Sequence, residues 1–89
     1  MSEIALISNV ADPLRNQVIS ILKLSQSTPI TLETNLQELG LESMSVVELL
    51  TQIEIEFDIT VDVEDLSAEL FIRFGNLVEF VQRKVDGAA

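Results

Sequence analysis

Apolar residues recur at three- and four-residue intervals in three stretches of the chain, and polar runs separate them. Leu14, Val18, Ile21 and Leu22 share one face at helical spacing. Asp12-Pro13 ahead of them reads as an N-cap with proline at the first helical position, so a first helix is expected to end near Leu24. A second helix is expected over Ser43 to Phe57, with Val46, Leu50, Ile53 and Phe57 as its core stripe. Beside that stripe runs a second line, Met44, Val47, Thr51 and Ile55, flanked by Glu48, Glu54 and Glu56. Phe74, Leu77, Val78, Val81 and Val85 predict a last helix ending near Gly87, and Glu64 to Leu70 can form a short third one.

The segments between are readable too. Ser25 to Gly40 is a long connection opened by the breaker cluster Ser25-Gln26-Ser27-Thr28-Pro29. Ile30, Leu32, Leu36 and Leu39 are spaced to pin it to a core, and a loop of this length in a small domain is usually functional. Ile59, Val61 and Val63 alternate with polar residues. No second strand is available to pair with them, so an ordered loop with these side chains turned inward is expected. The fold class is therefore all-α: a four-helix bundle with a long first loop and a short third helix. A single domain spans residues 1–89. Residues 1–11 form an N-terminal extension, in which Ile4 to Val10 are apolar enough for a turn of helix.

Composition narrows the chemistry. Eighty-nine residues, 47% of them hydrophobic, suffice for one small core. Cysteine is absent, which excludes disulfides, thiolate metal sites and a cysteine nucleophile. Histidine is absent as well, removing the commonest general base and metal ligand. A self-contained enzyme is not expected. Residues 1–4 lack the basic start of a signal peptide, and no apolar run approaches spanning length, so a cytoplasmic location is expected. Fifteen acids oppose five bases, for a net charge of −10. No base lies between Lys23 and Arg73, yet eleven acids do. Such a surface repels nucleic acid and anionic membrane and steers basic protein patches toward it; a monomer is expected. Asp58, Thr60, Asp62 and Glu64 alternate like ligands of a calcium loop, but Val63 occupies the position that needs glycine. No metal site is expected.

Ser43 is the remaining candidate for chemistry. A serine at a helix start is often only a cap. Ser45-Val46-Val47-Glu48, however, is a capping-box pattern that offers Ser45 as the better cap. That would leave Ser43 at or just before the helix N-terminus, where free amides and the helix dipole favour an anion such as a phosphodiester.

Leu39-Gly40-Leu41-Glu42-Ser43-Met44, followed by Val47-Glu48-Leu49-Leu50 and Ile53-Glu54-Ile55-Glu56-Phe57, resembles the carrier-protein family. That family includes acyl carriers of fatty acid and polyketide synthesis, peptidyl carriers of nonribosomal peptide synthesis, and aminoacyl carriers such as the D-alanyl carrier protein. The resemblance runs from about Pro13 to Val85. It implies the same four-helix fold and a free-standing, non-catalytic carrier. It implies that Ser43 bears 4'-phosphopantetheine, transferred from coenzyme A by a magnesium-dependent phosphopantetheinyl transferase. The thiol of that arm holds cargo as a thioester, filled by a loading ligase or acyltransferase. The helix that starts there docks basic patches of these enzymes and of downstream synthases or transferases. On that helix Glu42, Met44, Val47, Glu48, Thr51, Glu54 and Ile55 are the expected partner contacts. Two positions depart from the family pattern: Glu42 stands where aspartate is usual, and Ile55 where fatty-acid carriers often have an acid. Ser43-Met44, Phe57-Asp58-Ile59 and Phe71 through Phe80 resemble the D-alanyl type more. The alternative reading is an acidic interaction module of carrier fold that is never modified, for which Glu42 is the main support.

Overall fold

The computed structural model describes residues 10–88. Among these the structure is all-α, with three α-helices: α1 (Ala11–Leu22), α2 (Ser43–Phe57) and α3 (Phe74–Ala88). Two 3₁₀ turns, Val63–Asp65 and Ala68–Phe71, stand where one short helix was expected from Glu64 to Leu70. The Asp58–Val63 alternation forms no strand; Ile59 is buried and Val61 half-buried, in line with the loop reading, while Val63 opens the first 3₁₀ turn and its side chain lies outside what is described. Ile4 to Asn9, where a further helical turn was expected, lie outside the described residues. At the end of the expected extension, Val10 is a buried cap residue and Ala11 opens α1.

The start of α1 differs from the Asp12-Pro13 reading. The helix begins two residues earlier than that cap would place it, and Asp12 lies within its first turn, paired with Arg15 at 2.7 Å. Pro13 remains in the first turn, where a missing N–H costs no hydrogen bond. The helix stops at Leu22 rather than Leu24 because Lys23 turns left-handed, with φ 58°. The Leu24 amide then donates back to the Ile19 carbonyl at 2.9 Å, closing the helix as a glycine usually does. Asp58 ends α2 in the same way, with φ 54° and the Ile59 amide on the Glu54 carbonyl.

The core is one cluster drawn from the three helices, the second 3₁₀ turn and the loops. Leu14, Val18 and Ile19 of α1, Leu49 and Ile53 of α2, and Phe74, Leu77, Phe80 and Val81 of α3 are buried in it. The buried line of α2 thus centres on Leu49 and Ile53, and the expected stripe residues Val46, Leu50 and Phe57 flank it half-buried. A helix face wider than a single stripe explains the shift, since residues at three- and four-residue spacing share the inward side.

The long loop is held by apolar side chains and by its carbonyls, that of Ile30 accepting Arg15 Nε at 2.9 Å. Ile30 and Leu36 are buried, while Leu32 is 53% exposed and anchors nothing by its side chain. Its backbone does the anchoring: the Leu32 carbonyl accepts the Gly75 amide and the Thr34 carbonyl accepts the Phe74 amide, both at 2.8 Å. These bonds satisfy first-turn amides of α3 that would otherwise lack partners. The approach is close enough to need glycine, because a Cβ on Gly75 would lie 2.9 Å from the Leu32 carbonyl oxygen.

The segment from Asp58 to Ile72 crosses from α2 to α3. The Glu54 carboxylate accepts the Val61 amide at 2.8 Å, and Asp65 Oδ2 meets Lys84 Nζ at 2.7 Å. The Lys84 hydrogen bond and the Asp62 amide hold the Asp65 carboxyl below its ordinary value, and Asp65 raises the Lys84 amine above its own. The depressed acid stabilises the fold above the ordinary carboxylate range and loses that contribution as pH falls through its lowered folded value. The raised base loses its contribution only as pH rises through the Lys84 folded value. Thermal melts from neutral to acid pH are therefore expected to fall more steeply for the wild type than for Asp65→Asn, the two curves converging at the acid end.

Candidate functional site

The start of α2 is set by the loop before it. The Leu39 and Leu41 amides both donate to the Leu36 carbonyl, at 3.1 and 3.2 Å, and Gly40 between them takes φ 112°. This turn buries Leu36 and Leu41 while the chain reverses on Gly40. Glu42 follows in extended conformation as the N-cap, and its carbonyl accepts the Val46 amide at 2.8 Å. Ser43 is therefore the first residue of the helix, exposed, with its hydroxyl in no hydrogen bond among the described residues.

Ser45 is not the cap. It lies two residues inside the helix, so the box with Glu48 does not form. The Glu42 side chain makes no cap hydrogen bond either. Glutamate caps poorly compared with aspartate or serine. As a result no hydrogen bond within the described residues engages the amides of Ser43, Met44 and Ser45.

Beside Ser43 lies a cleft of about 460 Å³ lined by Gln37, Leu41, Glu42, Ser43, Val46 and Phe71. Phe71 reaches it from the second 3₁₀ turn, across the fold from α2. No local spacing marks Phe71 or Gln37 as neighbours of Ser43; chain closure alone brings them there.

The expected contact residues divide into two sets. Met44, Val47 and Ile55 are 79%, 64% and 71% exposed and, with exposed Thr51, form the apolar line read from the sequence. The Thr51 hydroxyl donates to the Val47 carbonyl at 3.0 Å, which leaves its methyl group as the outward surface of that line. Glu42 and Glu48 are exposed, and Glu48 borders a second cleft between α1 and α2 with Gln17, Ser20, Ile21, Lys23 and Gln52. Glu54 stands apart from these: half-buried, it spends its carboxylate on the Val61 amide and is part of the scaffold. Among the described residues no three acids, Asp58, Asp62 and Glu64 included, gather closely enough to hold a metal ion. No described helix is long and apolar enough to cross a membrane.

The family model described as "phosphopantetheine attachment site" matches residues 12–82 of this chain, from the first turn of α1 into α3. The chain belongs to this phosphopantetheine-attachment family. Its members hold 4'-phosphopantetheine covalently, are generally non-catalytic, and interact with transferases and biosynthetic enzymes. The chain accordingly has a phosphopantetheine-carrier role. The start of α2 fits such a group: a free hydroxyl, three unengaged amides and an adjoining cleft that mixes apolar and polar walls.

Gly40 is the hinge on which this arrangement turns. Gly40→Ala places a side chain at φ 112°, in open space but in a backbone region L-residues avoid. It is expected to cost about 1–2 kcal/mol and to lower the melting temperature by roughly 4–8 °C per kcal/mol. Gly87→Ala, in a helix and in open space, is expected to cause no loss, and paired thermal melts compare the two.

Proposed function

We propose that Ser43 Oγ is the attachment point of 4'-phosphopantetheine and that the chain holds an acyl or aminoacyl group for enzymes of fatty acid, polyketide or nonribosomal peptide type biosynthesis. The observation that carries this reading is the Ser43 hydroxyl itself. It is exposed at the first position of a fifteen-residue helix, unbonded, in a chain of the phosphopantetheine-attachment family.

When bound, the group supplies a flexible arm ending in a thiol, which carries the cargo as a thioester. The chain itself contains no cysteine, so any thiol chemistry must be borrowed. Its own residues do four things. Ser43 Oγ provides the bond to the arm. The free amides of Ser43, Met44 and Ser45 face the negative charge that arrives with the phosphodiester, and the positive end of the α2 dipole favours it there. Leu41 and Gly40 fix the direction in which Ser43 projects. The line Met44, Val47, Thr51 and Ile55 offers apolar contact to a transferase, a loading ligase or acyltransferase, or a downstream synthase. Glu42, Glu48 and Glu56 around that line attract partners with basic docking patches. Glu42 keeps the charge of the more usual aspartate but sets it one methylene farther out, which favours a transferase adapted to the longer side chain.

Incubation with coenzyme A, magnesium and a broad-range phosphopantetheinyl transferase tests the proposal by intact mass. The wild type is expected to gain one phosphopantetheine and Ser43→Ala none, while circular dichroism shows equal helicity. A wild type that gains no mass with several transferases overturns the reading in favour of an unmodified interaction module.

A further inference from the structure

The segment that supplies Phe71 to the Ser43 cleft has its polar tethers on one side. Beyond Val61, where Glu54 fixes the loop to α2, the described hydrogen bonds and ion pairs of residues 62–72 outside the segment go to α3 alone. Asn76 Nδ2 donates to the Glu69 carbonyl at 2.9 Å, and Leu70 and Phe71 are buried against the core. The other tether is the ion pair between Asp65 and Lys84.

Among the ion pairs of the described residues, this one is covered on both sides. Its side chains are each only 28% exposed, against 55% and 78% for Arg73 and Glu33, and solvent screens it less. Asp65 Oδ2 accepts the Asp62 amide at 3.0 Å as well as the lysine, so one oxygen both closes the first 3₁₀ turn and ties it to α3. The Lys84 ammonium also lies 5.8 Å from the centre of the Phe80 ring, which steadies it over the helix.

We propose that the Asp65–Lys84 pair is a latch on the strap from Asp62 to Ile72, so that these two positioning residues, acting through Phe71, set the width of the cleft beside Ser43. With the pair closed, the strap lies on α3 and Phe71 walls the cleft. With it open, the strap loosens about its α2 tether at Val61 and the wall retreats, leaving room for the arm's cargo end. The part of this proposal that concerns the arm rests on Ser43 being its attachment point; the part that concerns the strap does not.

Two measurements on Lys84→Met, which keeps the aliphatic stem over Phe80 and removes the charge, keep those parts separate. The first is amide hydrogen exchange by NMR. The Leu70 and Ile72 amides, bonded within the strap to Ser67 and Glu69, are expected to exchange about two- to fivefold faster than in the wild type. Amides of Val18 and Ile53 in the helices should not change, and Lys84→Arg should restore the slow rates. Unchanged exchange at Leu70 and Ile72, or equal acceleration at Val18 and Ile53, overturns the latch. The second uses a dansyl-labelled coenzyme A, loaded enzymatically, whose emission reports the polarity around the arm's end. A shift in emission between wild type and Lys84→Met, reversed in Lys84→Arg, supports control of the cleft. Identical emission despite faster strap exchange overturns it. If the dansyl arm does not load on the wild type, the attachment reading fails, and the exchange data still decide the strap.

Discussion

The burial of Leu36 and Leu41 on either side of Gly40 is the constraint on which the rest of the site depends. Two apolar side chains must enter one core within six residues, and the chain can do this only by reversing sharply between them. Gly40 supplies the reversal with a positive φ that other residues resist. Once Leu41 is anchored, Glu42 has to leave the core extended, and the first helical residue after it is Ser43. The position of the hydroxyl follows from packing rather than from any interaction of the hydroxyl itself.

The same economy shapes the long loop. Its carbonyls at Leu32 and Thr34 complete the first turn of α3, so a segment without regular structure caps a helix that lacks a capping side chain of its own. The start of α2 has no such cover. Glu42 does not cap it, Ser45 lies too far in, and among the described residues nothing bonds the amides of Ser43, Met44 and Ser45. One helix start is closed by the protein's backbone and the other, which holds the proposed attachment point Ser43, is not.

Much of this was legible in the chain. The bounds of α2 follow from its periodicity because its apolar residues face a core on one side and solvent on the other. The exposed line Met44, Val47, Thr51 and Ile55 was readable for the same reason. The misplaced details share one cause: a competing partner in the folded chain outweighs the signal read from residue type and spacing. Asp12 is drawn to Arg15 instead of capping α1, Glu54 to the Val61 amide instead of outward, and Ser45 loses the cap because Leu41 fixes where the helix begins. The single short helix expected after Asp58 is split into two turns, with Asp65 tied to Lys84 near one end and Leu70 and Phe71 packed into the core at the other. The cleft wall at Phe71 could not be read at all, since only closure of the fold brings it to Ser43.

Ser43 and Ser45 are two residues apart, and geometry alone separates the exposed hydroxyl at the helix start from the half-buried one inside it. Tandem mass spectrometry of the proteolytic peptide spanning α2, taken from chain loaded with coenzyme A by a phosphopantetheinyl transferase, tests this distinction directly. The account predicts fragment ions that place the whole adduct on Ser43. An adduct found on Ser45, or on any residue outside this helix start, would contradict it.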